Sequence, residues 1–225
     1  MNLTLDIGNT AVKWATFEGA ELREQGYGLP TDRLPEAAAV LACASGTPPD
    51  IDLPLLSAST RVPLKMGYKT PATLGPDRLA AACGAWALHP AEDCLVIDAG
   101  TCITVDFLDR QGVYHGGAIM PGLAMNLQAL HTFTAKLPLI SLDGIDKAPV
   151  LGRSTEESIV AGTLGATLLA LAGYVALYRQ KSPSLRVLLT GGDADRLAAA
   201  GTSGWEVQPH LTLIGLNEII QHNEK

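Results

Sequence analysis

The chain has 225 residues, 47% hydrophobic and 17% charged, with a formal net charge of −7 and a mean hydropathy of +0.19. That suffices for one large domain or two modest ones around a packed core, and it excludes a disordered chain. No Lys/Arg cluster offsets the acidic balance, which argues against nucleic acid as a partner; small anions held by backbone N–H groups and a metal ion remain compatible.

Residues 1–27 alternate like strands, and "LTLDIG", "AVKWATFEG" and "AELREQGYG" predict an antiparallel meander with turns at Gly8-Asn9 and Gly19-Ala20. "RLPEAAAVLACA" (33–44) predicts a helix and "DIDLPLLSA" (50–58) a short strand. The segment "STRVPLKMGYKTPATLGPD" is too polar and proline-broken for a regular element. "DRLAAACGAWALH" reads as a helix opened by Pro76-Asp77, with the acid at its positive end. The pattern then restarts. "CLVIDAG", "CITVDFLD" and "VYHGGAIM" predict three strands and "GLAMNLQALHTF" a helix. A loop through Asp146 leads to a long helix from about Thr155 to Lys181. "LRVLLTGG" is a strand, "DADRLAAA" a short helix and "LTLIGLNEIIQHN" the closing helix.

The two halves share this order, which predicts an α/β fold with a mixed sheet flanked by helices in each half, 1–91 and 92–225. The apolar run at 159–178 carries three glycines and two threonines between charged flanks, so a buried helix is expected and not a membrane span. Cys43, Cys83, Cys94 and Cys102 show no C-x-x-C spacing. With an opening strand in place of a signal peptide, they are expected as small buried thiols in a reducing cytoplasm.

Chemistry concentrates at a few turns. In "DIGNT", Asp6 ends a strand, and the turn that follows can aim N–H groups and the Thr10 hydroxyl at a phosphate while Asp6 holds water on Mg²⁺. "DAGT" repeats the parts in Asp98, Gly100 and Thr101. Either alone reads equally as an ordinary hairpin turn; the pair, heading corresponding halves, suggests a polyphosphate clamp. Gly191-Gly192 in "VLLTGG" reads as a plain strand-to-helix turn or as backbone that admits a flat ligand. Asp77 is a helix-starting acid or the group that accepts a proton from a substrate hydroxyl, with Arg78 pairing an acidic substrate. "HGGAIMPG" is a bulge and helix start or a backbone surface that admits substrate. "GRSTEES" is a capping box or a substrate-facing hydroxyl.

Taken in order, "DIGNT", "GPDR", "DAGT", "GGAIMPG", "GRST" and "TGG" resemble the type III pantothenate kinases over nearly the whole chain. The resemblance implies two ribonuclease-H-like lobes of the actin-like ATPase type and ATP-dependent phosphorylation of pantothenate, the first step toward coenzyme A. It implies that Asp6, Ile7, Gly8, Asn9, Thr10, Ala11, Val12, Lys13 and Thr101 bind ATP, and that Asp77 is the proton acceptor. Tyr68, Gly75, Pro76, Asp77, Arg78 and Thr155 would contact pantothenate, with Arg78 on its carboxylate. Asp98 would hold a monovalent cation, potassium or ammonium, and Asp6 the Mg²⁺, through water. A cytoplasmic homodimer with no nucleic-acid or membrane partner is expected. Two departures stand out: the chain is short between residues 29 and 56, and Ala11 replaces a larger or charged residue. Three rivals share the fold: a kinase of another small hydroxyl substrate, a non-catalytic regulatory nucleotide binder, and an actin-like structural ATPase. Intact Asp6, Asp77 and Asp98 speak against the regulatory binder, since binding alone needs no base.

Overall fold

The computed structural model describes residues 1–29, 35–47, 50, 52–145, 147–202 and 204–224. Strand β1 (Asn2–Ile7) carries Leu3, Thr4, Leu5 and Ile7, all at 1% exposure or less, because it is paired on both edges. Its sheet has the order β3-β2-β1-β4, with β2 (Val12–Glu18), β3 (Glu21–Tyr27) and β4 (Ala39–Ala44). The expected meander forms: β1 and β2 are antiparallel with Asp6 opposite Lys13, and β2 and β3 are antiparallel with a bulge between Thr16 and Phe17.

The helix expected over 33–44 does not form where the structure describes it. Ala39–Ala44 is strand β4, parallel to β1, with Cys43 opposite Asp6; residues 33 and 34 lie outside the described residues. Alanine's helix preference amounts to a few tenths of a kcal/mol per residue, roughly, and a buried parallel pairing outweighs it. The strand expected over 50–58 reduces to one bridge, Leu55 to Ala42, with Ile51 outside the described residues. Conversely, the segment expected to be irregular holds β5 (Lys65–Met66) and a 3-10 turn at Pro71–Thr73.

The second sheet runs β10-β9-β6-β7-β8-β5. It comprises β6 (Cys94–Ala99), β7 (Cys102–Leu108), β8 (Val113–Pro121), β9 (Arg186–Thr190) and β10 (Glu206–Val207); β10 and β5 are parallel to β9 and β8 respectively. The helices are α1 (Pro76–Leu88), α2 (Leu123–Thr132), α3 (Thr155–Val160), α4 (Ala166–Lys181), α5 (Ala194–Gly201) and α6 (Leu211–Glu224). The long helix expected from Thr155 forms as α3 and α4 joined by a π-helical turn at Ala161–Gly165. It is the one described helix long and apolar enough to cross a membrane. Only a stripe of α4, Thr167, Leu171 and Val175, is buried, while Leu169 and Leu177 are exposed. Asp146, in the expected loop, lies outside the described residues.

The chain divides into two compact units, one of Met1–Val96, Asp106–Gly117 and His210–Lys225 and the other of Ile97–Val105 and Ala118–Pro209. A single cut into 1–91 and 92–225 would assign α6 to the later half; in the structure α6 packs in the first unit. Glycines make this possible. A Cβ on Gly215 would come within 1.7 Å of the Ala80 carbonyl oxygen, and one on Gly84 within 2.2 Å of that of Leu211, so α1 and α6 touch backbone to backbone. Asn217 adds a polar tie, accepting from Asn2 at 3.0 Å and donating to the Gly19 carbonyl at 2.9 Å.

Candidate active site

In the first unit, the turn after β1 closes by one bond, Gly8 N–H to the Ala11 carbonyl at 3.0 Å. Asn9, Thr10 and Ala11 are therefore its outward, exposed part, while Ile7 is core and Val12 packs against it. Asp6 lies at the mouth of this turn, partly buried. The Cys43 thiol donates to its Oδ1 at 3.4 Å, a contact that the β1–β4 register creates. Burial pushes the Asp6 carboxyl above its ordinary range; Cys43 and Lys13 pull the other way, and the charge of Asp77 adds to the rise. Asp6, Lys13 and Asp77 thus form one electrostatic neighbourhood. His210 borders it, and burial, then the Lys13 charge, pushes its imidazole below the usual range.

Asp77 is placed by sequence-local rules. Pro76 occupies the first turn of α1, where its missing N–H costs nothing, and Gly75 precedes it in an extended conformation. A Cβ on Gly75 would stand 2.5 Å from Asp77 Oδ1, so glycine is needed for the carboxylate to fold back over the turn. Oδ1 accepts the Arg78 N–H at 2.8 Å. Among the described residues, no donor reaches Oδ2.

Arg78 has a partner within the protein. Its side chain is buried, and its guanidinium grips Asp106 on β7 with two bonds, Nε to Oδ2 at 3.1 Å and Nη2 to Oδ1 at 2.6 Å. Burial alone would lower its affinity for a proton, but Asp106 more than compensates and locks the charge in place. Tyr68 lies beside it, its ring centroid 5.8 Å from Arg78 Cζ. Sequence reasoning does not single out Asp106, which stands within a predicted strand. The available signal was a carboxylate in "ITVDFL", where apolar residues flank it on both sides and a buried acid must find a cation.

In the second unit, the corresponding hairpin turns in two residues, with Gly100 N–H donating to the Cys102 carbonyl at 3.0 Å. Thr101 is exposed at its tip. Of the four cysteines three are buried as expected, but Cys102, next to Thr101, is exposed. The first of the paired glycines of "TGG" serves this hairpin: Gly191, at φ +95°, lies so close to β6 that a Cβ would sit 2.4 Å from the Ala99 carbonyl oxygen and 2.5 Å from Asp98 Oδ1. Asp193 N–H then donates to the Ala99 carbonyl at 2.9 Å. Gly122 of "MPG" performs the same service on the other side, 2.4 Å and 2.5 Å from the Gly100 and Thr101 oxygens by the same measure, and its N–H donates to Thr101. Thr155 is exposed as the first residue of α3. The helix starts with a cap one residue earlier, where Ser154 accepts from Glu157 N–H at 3.1 Å and Glu157 accepts from Arg153 N–H at 2.6 Å.

The carboxylates are compatible with cations in different ways. Asp98 has backbone in the place of a side chain beside it, the cradle that a Cβ at 191 would fill. Asp6 is a carboxylate whose charge burial disfavours, and a cation would relieve that. No group of three or more His, Cys, Asp or Glu that could hold a metal occurs among the described residues. Single carboxylates suit Mg²⁺ that arrives on phosphates, which takes one or two from the protein.

A family profile described as type III pantothenate kinase matches residues 34–177. A type III pantothenate kinase of Phocaeicola vulgatus is 41% identical over 243 residues and covers the full length of both chains. Another, from Cytophaga hutchinsonii, is 36% identical over 236 residues, covering 99% of this chain and all of that protein. Among solved structures, a protein of Campylobacter jejuni assigned to the Baf family of transcriptional activators superposes with a TM-score of 0.59 at 20% identity, covering 99% of this chain and 98% of that one. A glucokinase from an Antarctic psychrotroph gives 0.50 at 13% identity, covering 99% and 98%. At such identities the likeness speaks for the fold, the actin/sugar-kinase fold with its mixed, helix-flanked sheets. By profile and by full-length identity, the chain belongs to the type III pantothenate kinases.

Proposed function

We propose that this enzyme carries out its family's reaction, the ATP- and Mg²⁺-dependent phosphorylation of pantothenate, with Asp77 as the group that receives the hydroxyl proton. A bond forms between the primary hydroxyl oxygen and the γ-phosphorus, the bond to the β–γ bridging oxygen breaks, and ADP leaves; the proton passes to the Asp77 carboxylate. A primary alcohol is a very weak acid, so Asp77 first aligns the hydroxyl and accepts the proton late, after the phosphoryl group has loosened. The observation that carries this role is its anchoring: Oδ1 is tied to the helix backbone by the Arg78 N–H at 2.8 Å, which orients the other oxygen.

ATP contacts are the outward parts of the turns. Asn9, Thr10 and Ala11 offer backbone donors, Lys13 the cation opposite Asp6 in the β1–β2 register, and Thr101 a hydroxyl from the second hairpin. Ile7 and Val12 serve as scaffold for the turn. Asp6 is the carboxylate for Mg²⁺, through water, and Asp98 that for potassium or ammonium; the ions supply charge neutralisation on the phosphates, which suits a chain with no basic cluster. Tyr68 and the 75–78 turn are the pantothenate contacts of the first unit, and Thr155 is the one carried by the second. Arg78 meets the substrate carboxylate from within its pair with Asp106, as an oriented donor whose charge is already matched. The family's homodimer gains support from the exposed apolar side chains Ile119, Phe133, Leu169 and Leu177, and a cytoplasmic location from four cysteines that all stand as thiols.

ADP release with Mg-ATP and pantothenate, compared in potassium and sodium, tests the assignment. Release that needs both pantothenate and potassium is expected. Release without potassium would remove the cation from Asp98, and no release in either salt would overturn the kinase.

A further inference from the structure

Asp106 is a carboxylate at 2% exposure in the middle of a β-strand. Such a group is tolerated only when donors surround it. Three converge on it: the two Arg78 bonds described above, and the phenol of Tyr114 on β8, whose Oη donates to Oδ1 at 2.7 Å. Tyr114 is itself fully buried. The two-point grip fixes the plane of the guanidinium as well as its position, and the Tyr114 bond fixes the carboxylate that does the gripping.

The same strand organises Tyr68. Met66 pairs with Tyr114, and Gly67 N–H donates to the Tyr114 carbonyl at 2.9 Å, which delivers Tyr68 next to the Tyr114 ring, centroids 5.9 Å apart. Two residues along β8, Gly116 at φ +85° leaves the space the Tyr68 ring needs; a Cβ there would be 2.5 Å from its Cδ2. Every one of these groups belongs to the first unit.

We infer that Asp106 and Tyr114 are positioning residues for pantothenate recognition, acting through Arg78 and Tyr68 without touching the substrate themselves. The inference rests on the reading of Arg78 and Tyr68 as pantothenate contacts. A buried ion pair is weak evidence for stability, since desolvation offsets much of its attraction. Its geometry is what an oriented donor for a carboxylate requires, because a free arginine side chain would lose several rotamers on binding.

The test uses the full-length enzyme and reads both substrates. Tyr114→Phe deletes one hydroxyl and keeps the shape. It is expected to raise KM for pantothenate about 3- to 10-fold, the worth of one buried hydrogen bond, with KM for ATP unchanged and a smaller effect on kcat. Asp106→Asn is expected to act in the same direction and more strongly. Tyr68→Ala checks the underlying reading, and must also raise KM for pantothenate. If Tyr68→Ala does so while Tyr114→Phe lowers only the melting temperature and leaves both KM values alone, the positioning role is overturned and the contact reading stands. If Tyr68→Ala leaves KM for pantothenate unchanged, the contact reading falls with it. Should Asp106→Asn fail to fold, Tyr114→Phe decides.

Discussion

At the 8–11 turn one glycine neighbour stands against the backbone, Gly46, 2.4 Å from the Gly8 carbonyl oxygen if it carried a Cβ; at the 100–101 turn two do, Gly122 and Gly191, on opposite sides. The first turn is longer, more exposed and surrounded by titratable groups, namely Asp6, Lys13, Asp77 and His210. The second is shorter and wedged by backbone, with Asp193 N–H adding a bond to its strand. One design of strand, acid, glycine and threonine thus serves two purposes. The first hairpin concentrates charge around an open turn. The second is a rigid seat for Asp98 and Thr101.

The sharpest way to break this contrast is to add one methyl group to each turn. Gly191→Ala combines a left-handed backbone angle with a contact to the Ala99 carbonyl. It is expected to cost about 3 kcal/mol or more in a denaturant titration. Gly8→Ala meets only the Ala11 carbonyl, at 3.2 Å, at no strained angle, and is expected to cost about 1 kcal/mol or less. Equal losses would erase the distinction between braced and open turns.

Asp6→Asn sharpens the electrostatic half of the comparison. Burial raises the Asp6 pKa, so the folded protein holds that proton more tightly than the unfolded chain, and the carboxylate's contribution to stability declines as pH rises through the raised value. The neutral side chain is therefore expected to raise the melting temperature at neutral pH while activity falls by orders of magnitude. A drop in both would mean that Asp6 is structural.

The smallest effect belongs at the end of β7 opposite the 100–101 turn. There burial opposes the Asp109 charge, but the His115 ring at 2.7 Å and the Val113 and Gln111 N–H groups hold its carboxyl below the usual range. That stability is present above the ordinary aspartate value of about 3.9 and is lost as pH falls through the lower folded value. His115→Ala is expected to cost less than about 1 kcal/mol, with the difference shrinking from about pH 5 to about pH 3 and activity unaffected. A larger loss would make this surface pair part of the core.

The hairpins, α1 with its Pro76-Asp77 start, and α6 were legible because each follows local rules: alternation, turn residues and a helix-initiating proline. β4 was not. "AAAVLACA" carries helix propensity, and only the tertiary fact of an open edge on β1 makes it a strand. At the site, the positions of Asp6, Asp77 and Asp98 at element ends could be read from sequence. The partners could not, because Cys43 reaches Asp6 across 37 residues, and Asp106 reaches Arg78 across 28, through registers that pattern alone does not encode.

On the proposed reading, Asp77 handles the hydroxyl proton while other groups hold the ATP. Steady-state turnover of Asp77→Asn with Mg-ATP and pantothenate, alongside its affinity for ATP, tests it most directly. Turnover is expected to fall by about 10²- to 10⁴-fold with ATP binding unchanged. Turnover within a few-fold of the unsubstituted enzyme would contradict the account.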